Sequence, residues 1–127
     1  MKFRAMALDA NRRSYWSTVD IPMVQAGPTS MVSARQDAQY WGMAVNQPGE
    51  PIAAGPNEMH LTHVPRIVWC MTGHVENTMQ DGQIFRYGPG EGVYVNGDAL
   101  HHSTFAAAVP TISLNVTFPG TVDYKFK

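Results

Sequence analysis

The side chains best suited to chemistry are a few imidazoles and one guanidinium, His60, His63, His101 and Arg66, with the hydroxyls of Thr62 and Ser103 close by in the chain. All five histidines fall within one stretch, Met59 to Thr104, reading MHLTHVPRIVWCMTGHVENTMQDGQIFRYGPGEGVYVNGDALHHST. Unperturbed imidazole is both a metal ligand and a proton carrier near neutral pH, so His60 and His101 as a pair suit either duty. A metal held by imidazoles wants three or four donors, and the candidates here are His60, His101 and His63. One divalent ion, Zn, Fe, Mn or Ni, would suit such a set; a metal-free polar pocket wall is the other reading. Arg66 points elsewhere chemically: a guanidinium repels a cation but suits a carboxylate, phosphate or enolate oxygen. Its bland alternative is a surface or salt-bridged arginine.

These residues sit in a continuous β pattern. Ile67 to Met71 is an apolar run rich in β-branched and aromatic residues, stopped by Thr72-Gly73, and reads as a strand buried on both faces. His74 to Met79 alternates as a half-exposed strand does. Asp81-Gly82 signals a hairpin, because glycine accepts the positive φ of the tight turn. Ile84 to Tyr87 follows, then the corner Gly88-Pro89-Gly90-Glu91-Gly92, the short strand Val93 to Val95, the turn Asn96-Gly97, and a strand opened by His101. No helix follows the glycine-rich corner, so it lacks the amides and dipole of a phosphate loop. Strand parity then sorts the site. If His60 points inward so does Thr62, and past Val64-Pro65 the inward set is Arg66, Val68 and Cys70; His101, Ser103 and Phe105 share a face, leaving His102 opposite. His60, Arg66 and His101 are expected to converge on one pocket with Thr62 and Ser103 as neighbours and His63 at its mouth, and His74 is expected to be solvated.

The stretch resembles the cupin family of small β-barrels. Cupins carry a first motif H-x-H, three or four residues, E, then a turn glycine, and a second motif G-D, an apolar strand, P-x-G-x-x-H. Gly73 matches the turn glycine, His60 the first histidine, Thr62 the second and Arg66 the glutamate. In the second motif Gly90-Glu91 stands for G-D, Val93 and Val95 for the strand, Asn96 for the proline, Asp98 for the glycine and His101 for the ligand histidine. The resemblance implies an all-β, jelly-roll-like cupin barrel of two antiparallel sheets with a pocket between them, in which His60 and His101 are the surviving ligand positions. It also implies a homodimer, with the strand near Tyr15 to Ile21 adding to the partner's sheet.

Elsewhere the chain reads as further strands. Tyr15 to Ile21, Met31 to Arg35 and Tyr40 to Val45 are short β-like runs separated by Gly27-Pro28 and similar loops. Thr111 to Phe118 alternates strictly, with Ile112, Leu114, Val116 and Phe118 on a face expected to pack and Thr111, Ser113, Asn115 and Thr117 on one expected to line something polar. Asn115-Val116-Thr117 matches a glycosylation sequon but falls within that strand. A length of 127 residues with 44% hydrophobic content suits one domain, residues 1–127. A net charge of −1 with 15% charged residues argues against nucleic acid. No run is long and apolar enough to span a bilayer, so a cytoplasmic protein with no membrane partner is expected. The single Cys70 excludes an internal disulfide and reads as a core thiol.

Three activities fit these residues. In the first, His60 and His101 with His63 hold a divalent metal acting as Lewis acid on a carbonyl or enolate, as an isomerase, lyase or cyclase would. In the second, the same histidines do acid–base work without metal while Arg66, the third candidate catalytic residue, stabilises an oxyanion. The third is a non-catalytic module that binds a small ligand in a metabolic or regulatory role.

Overall fold

Alternating apolar residues and turn glycines set twelve strands and no helix among the residues that the computed structural model describes, 1–33, 37–47, 64–97, 101–104, 109–119 and 125–126. They are β1 (Lys2–Leu8), β2 (Ser14–Asp20), β3 (Met23–Gly27), β4 (Ser30–Ser33), β5 (Tyr40–Asn46), β6 (Arg66–Thr72), β7 (Val75–Met79), β8 (Ile84–Tyr87), β9 (Gly92–Val95), β10 (His101–Thr104), β11 (Thr111–Thr117) and β12 (Lys125–Phe126). No helix of the described residues is long and apolar enough to cross a membrane. The all-β class read from the sequence is the one observed.

Seven strands form the larger sheet, in the order β12-β2-β1-β9-β6-β11-β5; a second sheet has the order β10-β7-β8, and β3-β4 is a separate hairpin. The Asp81-Gly82 turn joins β7 to β8 as the sequence predicts, with Gly82 at φ 85° and the Gln83 amide donating to Asp81 Oδ1 at 3.0 Å. One pairing departs from expectation. β1 and β9 run parallel, Ala5 beside Tyr94 and Met6 beside Val95, so the larger sheet is mixed rather than antiparallel throughout. Strands that distant in sequence meet by tertiary packing, which no local turn signal encodes.

The two sheets face each other across a core of Met6, Cys70, Val75, Met79, Tyr87, Val93 and Val95, with Leu8, Trp16, Val68 and Phe85 packed against it. Alternate residues of the same strands build a second cluster on the outer face, from Ala5, Val19, Ile21, Tyr94 and Phe118, with Phe3, Met23, Ile67 and Val116 alongside. Because successive side chains of a strand point to opposite faces, this split assigns each strand's parity without ambiguity.

That parity corrects two expectations. β6 is not buried on both faces: Cys70 is fully buried, whereas Trp69 and Met71 on the outer face are 38% and 47% exposed. In β11 the polar side is the more buried one, with Thr111, Ser113 and Thr117 at 0%, 5% and 1% exposure, while Ile112, Leu114 and Val116 are half-buried on the outside. Hydrogen bonding makes this affordable. Thr111 Oγ1 donates to the His74 carbonyl at 3.1 Å and accepts from the His74 amide at 3.3 Å, and Thr117 Oγ1 donates to the Tyr40 carbonyl at 3.1 Å. β2 lies between β12 and β1, and β12 pairs with it only at Val19 and Asp20.

The passage from one sheet to the other is made at Gly73, between β6 and β7. Its φ of 76° lies in the left-handed region, and a Cβ placed there would come within 2.8 Å of Thr111 Cα. Gly82 shares the positive φ but faces open space. Gly73→Ala should therefore lower stability to urea by about 2–5 kcal/mol, combining left-handed strain with overpacking. Gly82→Ala, carrying the strain alone, should cost only about 1 kcal/mol. Equal losses for the two would contradict this account of the turn.

Candidate functional site

Arg66 opens β6, opposite Val95 on β9 and Thr117 on β11. It shares the inner face with Val68 and Cys70, whose contacts are with Val75, Met79 and Tyr87 of the facing sheet. The residue is half-buried and its Nε is closed to solvent. Burial pushes the Arg66 guanidinium below its ordinary pKa, while the neighbouring Tyr40 works in the opposite direction. The expected inward position of Arg66 is thus the observed one.

His101 opens β10 and is 4% exposed. Directly opposite it on β7 stands Met79, and opposite Ser103 stands Asn77. Met79 and Asn77 are 0% and 2% exposed and belong to the inner face of β7. Partners across an antiparallel pair share a face, so His101 belongs to the interior as parity predicted. His102 pairs with Thr78, on the alternate position. His60, Thr62 and His63 lie outside the described residues.

Arg66 and His101 lie on the inner faces of the two sheets, Arg66 on β6 and His101 on β10. Phe85 of β8 meets Trp16 of β2 edge-on, with ring centroids 4.8 Å apart, and Arg4 of β1 lies 3.8 Å above the Phe85 ring. β8 therefore covers the β1–β2 side, and β10 lies on the far side of β7. The interior has an apolar part, the cluster around Met6 and Val93, and a polar part, Arg66, Asn77, His101, Ser113 and Asn115, with Asn115 Nδ2 donating to Ser113 Oγ at 3.4 Å. Asn77 was not singled out in the sequence, although the alternation of 75–79 would have marked it as an inward polar residue.

Two histidine and cysteine expectations are resolved. His74 is half-buried rather than solvated, with its Nδ1 closed to solvent and its ring beside Gly88. Its backbone is held at the sheet crossing by Thr111, which draws it under the corner. Cys70 is a core thiol at 0% exposure, its Sγ donating to the Thr72 carbonyl at 3.3 Å. Burial, and then Glu91, push its pKa up.

The donor chemistry of this half suits an anion. Among the described residues no three His, Cys, Asp or Glu side chains gather to hold a metal ion. They supply one inward imidazole, His101, and the guanidinium of Arg66 on the other sheet; a metal centre would need His60 and His63 as well. A separate groove of about 420 Å³, lined by Arg4, Trp16, Ser17, Thr18 and Phe85, lies on the β1–β2 side and was not anticipated.

The buried groups set an alkaline limit. Burial raises the Tyr87 phenol far above its usual value, and Cys70 beside it adds to the shift. A group whose folded pKa is raised contributes stability that is present below its unfolded pKa, about 10 for tyrosine, and is lost as the pH climbs beyond it. Tyr87→Phe should therefore weaken the fall in stability above about pH 10, followed by urea titration and tyrosinate absorbance. Native Cys70 should resist a disulfide reagent at pH 8 and react once the chain is unfolded; an immediate reaction would contradict its burial.

No family model matches the sequence, and no curated protein matches it significantly. Among solved structures, a Cupin 2 conserved barrel domain protein from Salinispora arenicola aligns over 89% of this chain and 80% of its own, with 19% identity and a TM-score of 0.51. The Cupin_2 domain of an XRE family transcriptional regulator from Enterobacter cloacae aligns over 95% and 97%, with 15% identity and a TM-score of 0.40. With its seven-stranded and three-stranded sheets enclosing a half-polar interior, this chain has the fold of the cupin barrels.

Proposed function

We propose that the polar half of the interior binds a small organic anion, a carboxylate on a partly apolar body. The observation that carries this reading is that His101, 4% exposed, and the half-buried Arg66 lie on the inner faces of the two sheets. A carboxylate meets a guanidinium with charge-assisted hydrogen bonds in matching planar geometry. The apolar half of the core, next to it, suits the ligand's body.

The same two side chains support chemistry on an enolisable substrate. A neutral imidazole takes a proton from the carbon beside a carbonyl, and the guanidinium stabilises the oxygen on which charge develops. His60 would join His101 as the second acid–base group. The reading in which His60, His101 and His63 hold a divalent metal is less favoured, because Arg66 opposes a cation in the same space. A binding role without turnover rests on the same contacts.

Thermal unfolding with benzoate and with acetate tests the binding. A ligand at a hundredfold excess over its Kd stabilises by about 2.7 kcal/mol, on the order of 10 °C in Tm for a domain of this size. Benzoate should raise Tm, and Arg66→Leu should remove the shift while the protein still unfolds cooperatively; His101→Ala should reduce it. A benzoate shift that survives in Arg66→Leu would refute the anion site. Stoichiometric metal in untagged protein, lost in His101→Ala, would favour the metal reading instead.

A further inference from the structure

The groove beside β1 and β2 joins a cation to aromatic surface. Side chains alternate along β1, so Arg4 falls on the face of Met6 and Leu8, and the register sets Thr18 of β2 opposite Arg4 and Trp16 opposite Met6. Phe85 of β8 closes the groove from the other sheet, and with Ser17 these residues line a space of about 420 Å³, within the range that small-molecule sites occupy. The Arg4 guanidinium lies 3.8 Å from the centroid of the Phe85 ring. That ring is itself held, edge-on by Trp16 at 4.8 Å and stacked by Tyr87 at 5.6 Å and 15°. A guanidinium held over an aromatic face keeps its N–H groups for a further partner. Among the described residues no carboxylate supplies one to Arg4; the nearby ion pair on β7 and β8 is between Arg86 and Glu76, at 3.5 Å. The next residues of the same face, Lys2 and Asp20, stand opposite each other and offset one another in charge, so Arg4 sets the sign of the groove. Trp16 is half-buried with its Nε1 closed to solvent, and therefore offers the groove ring carbons rather than its N–H.

We propose that this groove is a second ligand site, independent of the interior around Arg66 and His101, and that it takes an aromatic phosphate. The flat ring lies along Trp16 and beside Phe85, and the phosphate meets the Arg4 guanidinium and the Thr18 hydroxyl. Charge complementarity selects such a ligand. A wholly apolar molecule would cover the Arg4 cation without pairing it, and an inorganic ion would leave the indole and phenyl surfaces in water. A phosphate monoester presents three terminal oxygens to the guanidinium fork and the neighbouring hydroxyl, where a carboxylate presents two, and its greater charge gains more from an exposed cation.

Calorimetric titration of the full chain at low ionic strength with 2-naphthyl phosphate, 2-naphthol and inorganic phosphate is the test. The aryl phosphate should bind one to one and more tightly than either of its parts. Arg4→Met, at an exposed position, keeps an apolar stem over Phe85 and removes the charge; it should weaken binding about ten- to hundredfold, the range set by charged hydrogen bonds, with an unchanged circular dichroism spectrum. Arg66→Leu should leave the affinity as it is. In the wild type, amide NMR shifts on adding the aryl phosphate should centre on Arg4, Trp16, Thr18 and Phe85, a readout that needs no variant. Absence of binding, an affinity equal to that of 2-naphthol or inorganic phosphate, or undiminished binding by Arg4→Met would overturn the proposal. So would shifts centred on Val68 and His101, or binding lost in Arg66→Leu, either of which would assign the ligand to the interior.

Discussion

The structure depends on how the chain leaves one sheet and enters the other. At Gly73 the backbone turns through a left-handed conformation hard against Thr111, and the Thr111 hydroxyl is bonded to both the amide and the carbonyl of His74. One side chain thereby fastens the start of β7 to the start of β11. At its other end β7 is tied to β2 by a reciprocal pair, the Ser14 amide donating to Gln80 Oε1 and the Gln80 amide to Ser14 Oγ. With both ends fixed, β7 crosses the larger sheet at a set angle, and its neighbours β8 and β10 fall on opposite halves of the interior.

Local signals made much of this legible. The Asp81-Gly82 hairpin, the stop at Gly73, the corner at 88–92 and the limits of β6 to β9 are each encoded by a few adjacent residues, because turn chemistry and β-periodicity act over short distances. Parity likewise placed Arg66 with Val68 and Cys70, and His101 apart from His102. What alternation alone does not carry is which face is inner. In β11 the polar side, expected to line something polar, is the buried inner one with Thr111, Ser113 and Thr117, and the apolar side is the half-buried outer one. The run Ile67 to Met71 misled for a related reason: Trp69 and Met71 are apolar because they belong to an outer surface of apolar character, not because both faces of β6 are enclosed. The parallel contact of β1 with β9 was beyond reach, since it depends on the whole arrangement of the sheet.

The candidate site was legible to a similar degree. Parity sets Arg66 and His101 on inner faces and Asn115 on the polar side of β11, and the alternation of 75–79 carries Asn77 as well. An interior with a guanidinium on one wall and an imidazole on the other is suited to accept negative charge, and the polar face of β11 gives that charge hydrogen-bonding company. The division into an apolar and a polar half suits an amphipathic molecule better than an inorganic ion.

A crystal structure of the protein with benzoate would test the central claim directly. The account predicts the carboxylate between the sheets, within hydrogen-bonding distance of the Arg66 guanidinium and near His101, with the ring toward Val68 and Val95. Benzoate bound only in the Arg4–Phe85 groove, or an Arg66 guanidinium turned out to solvent away from the ligand, would contradict it.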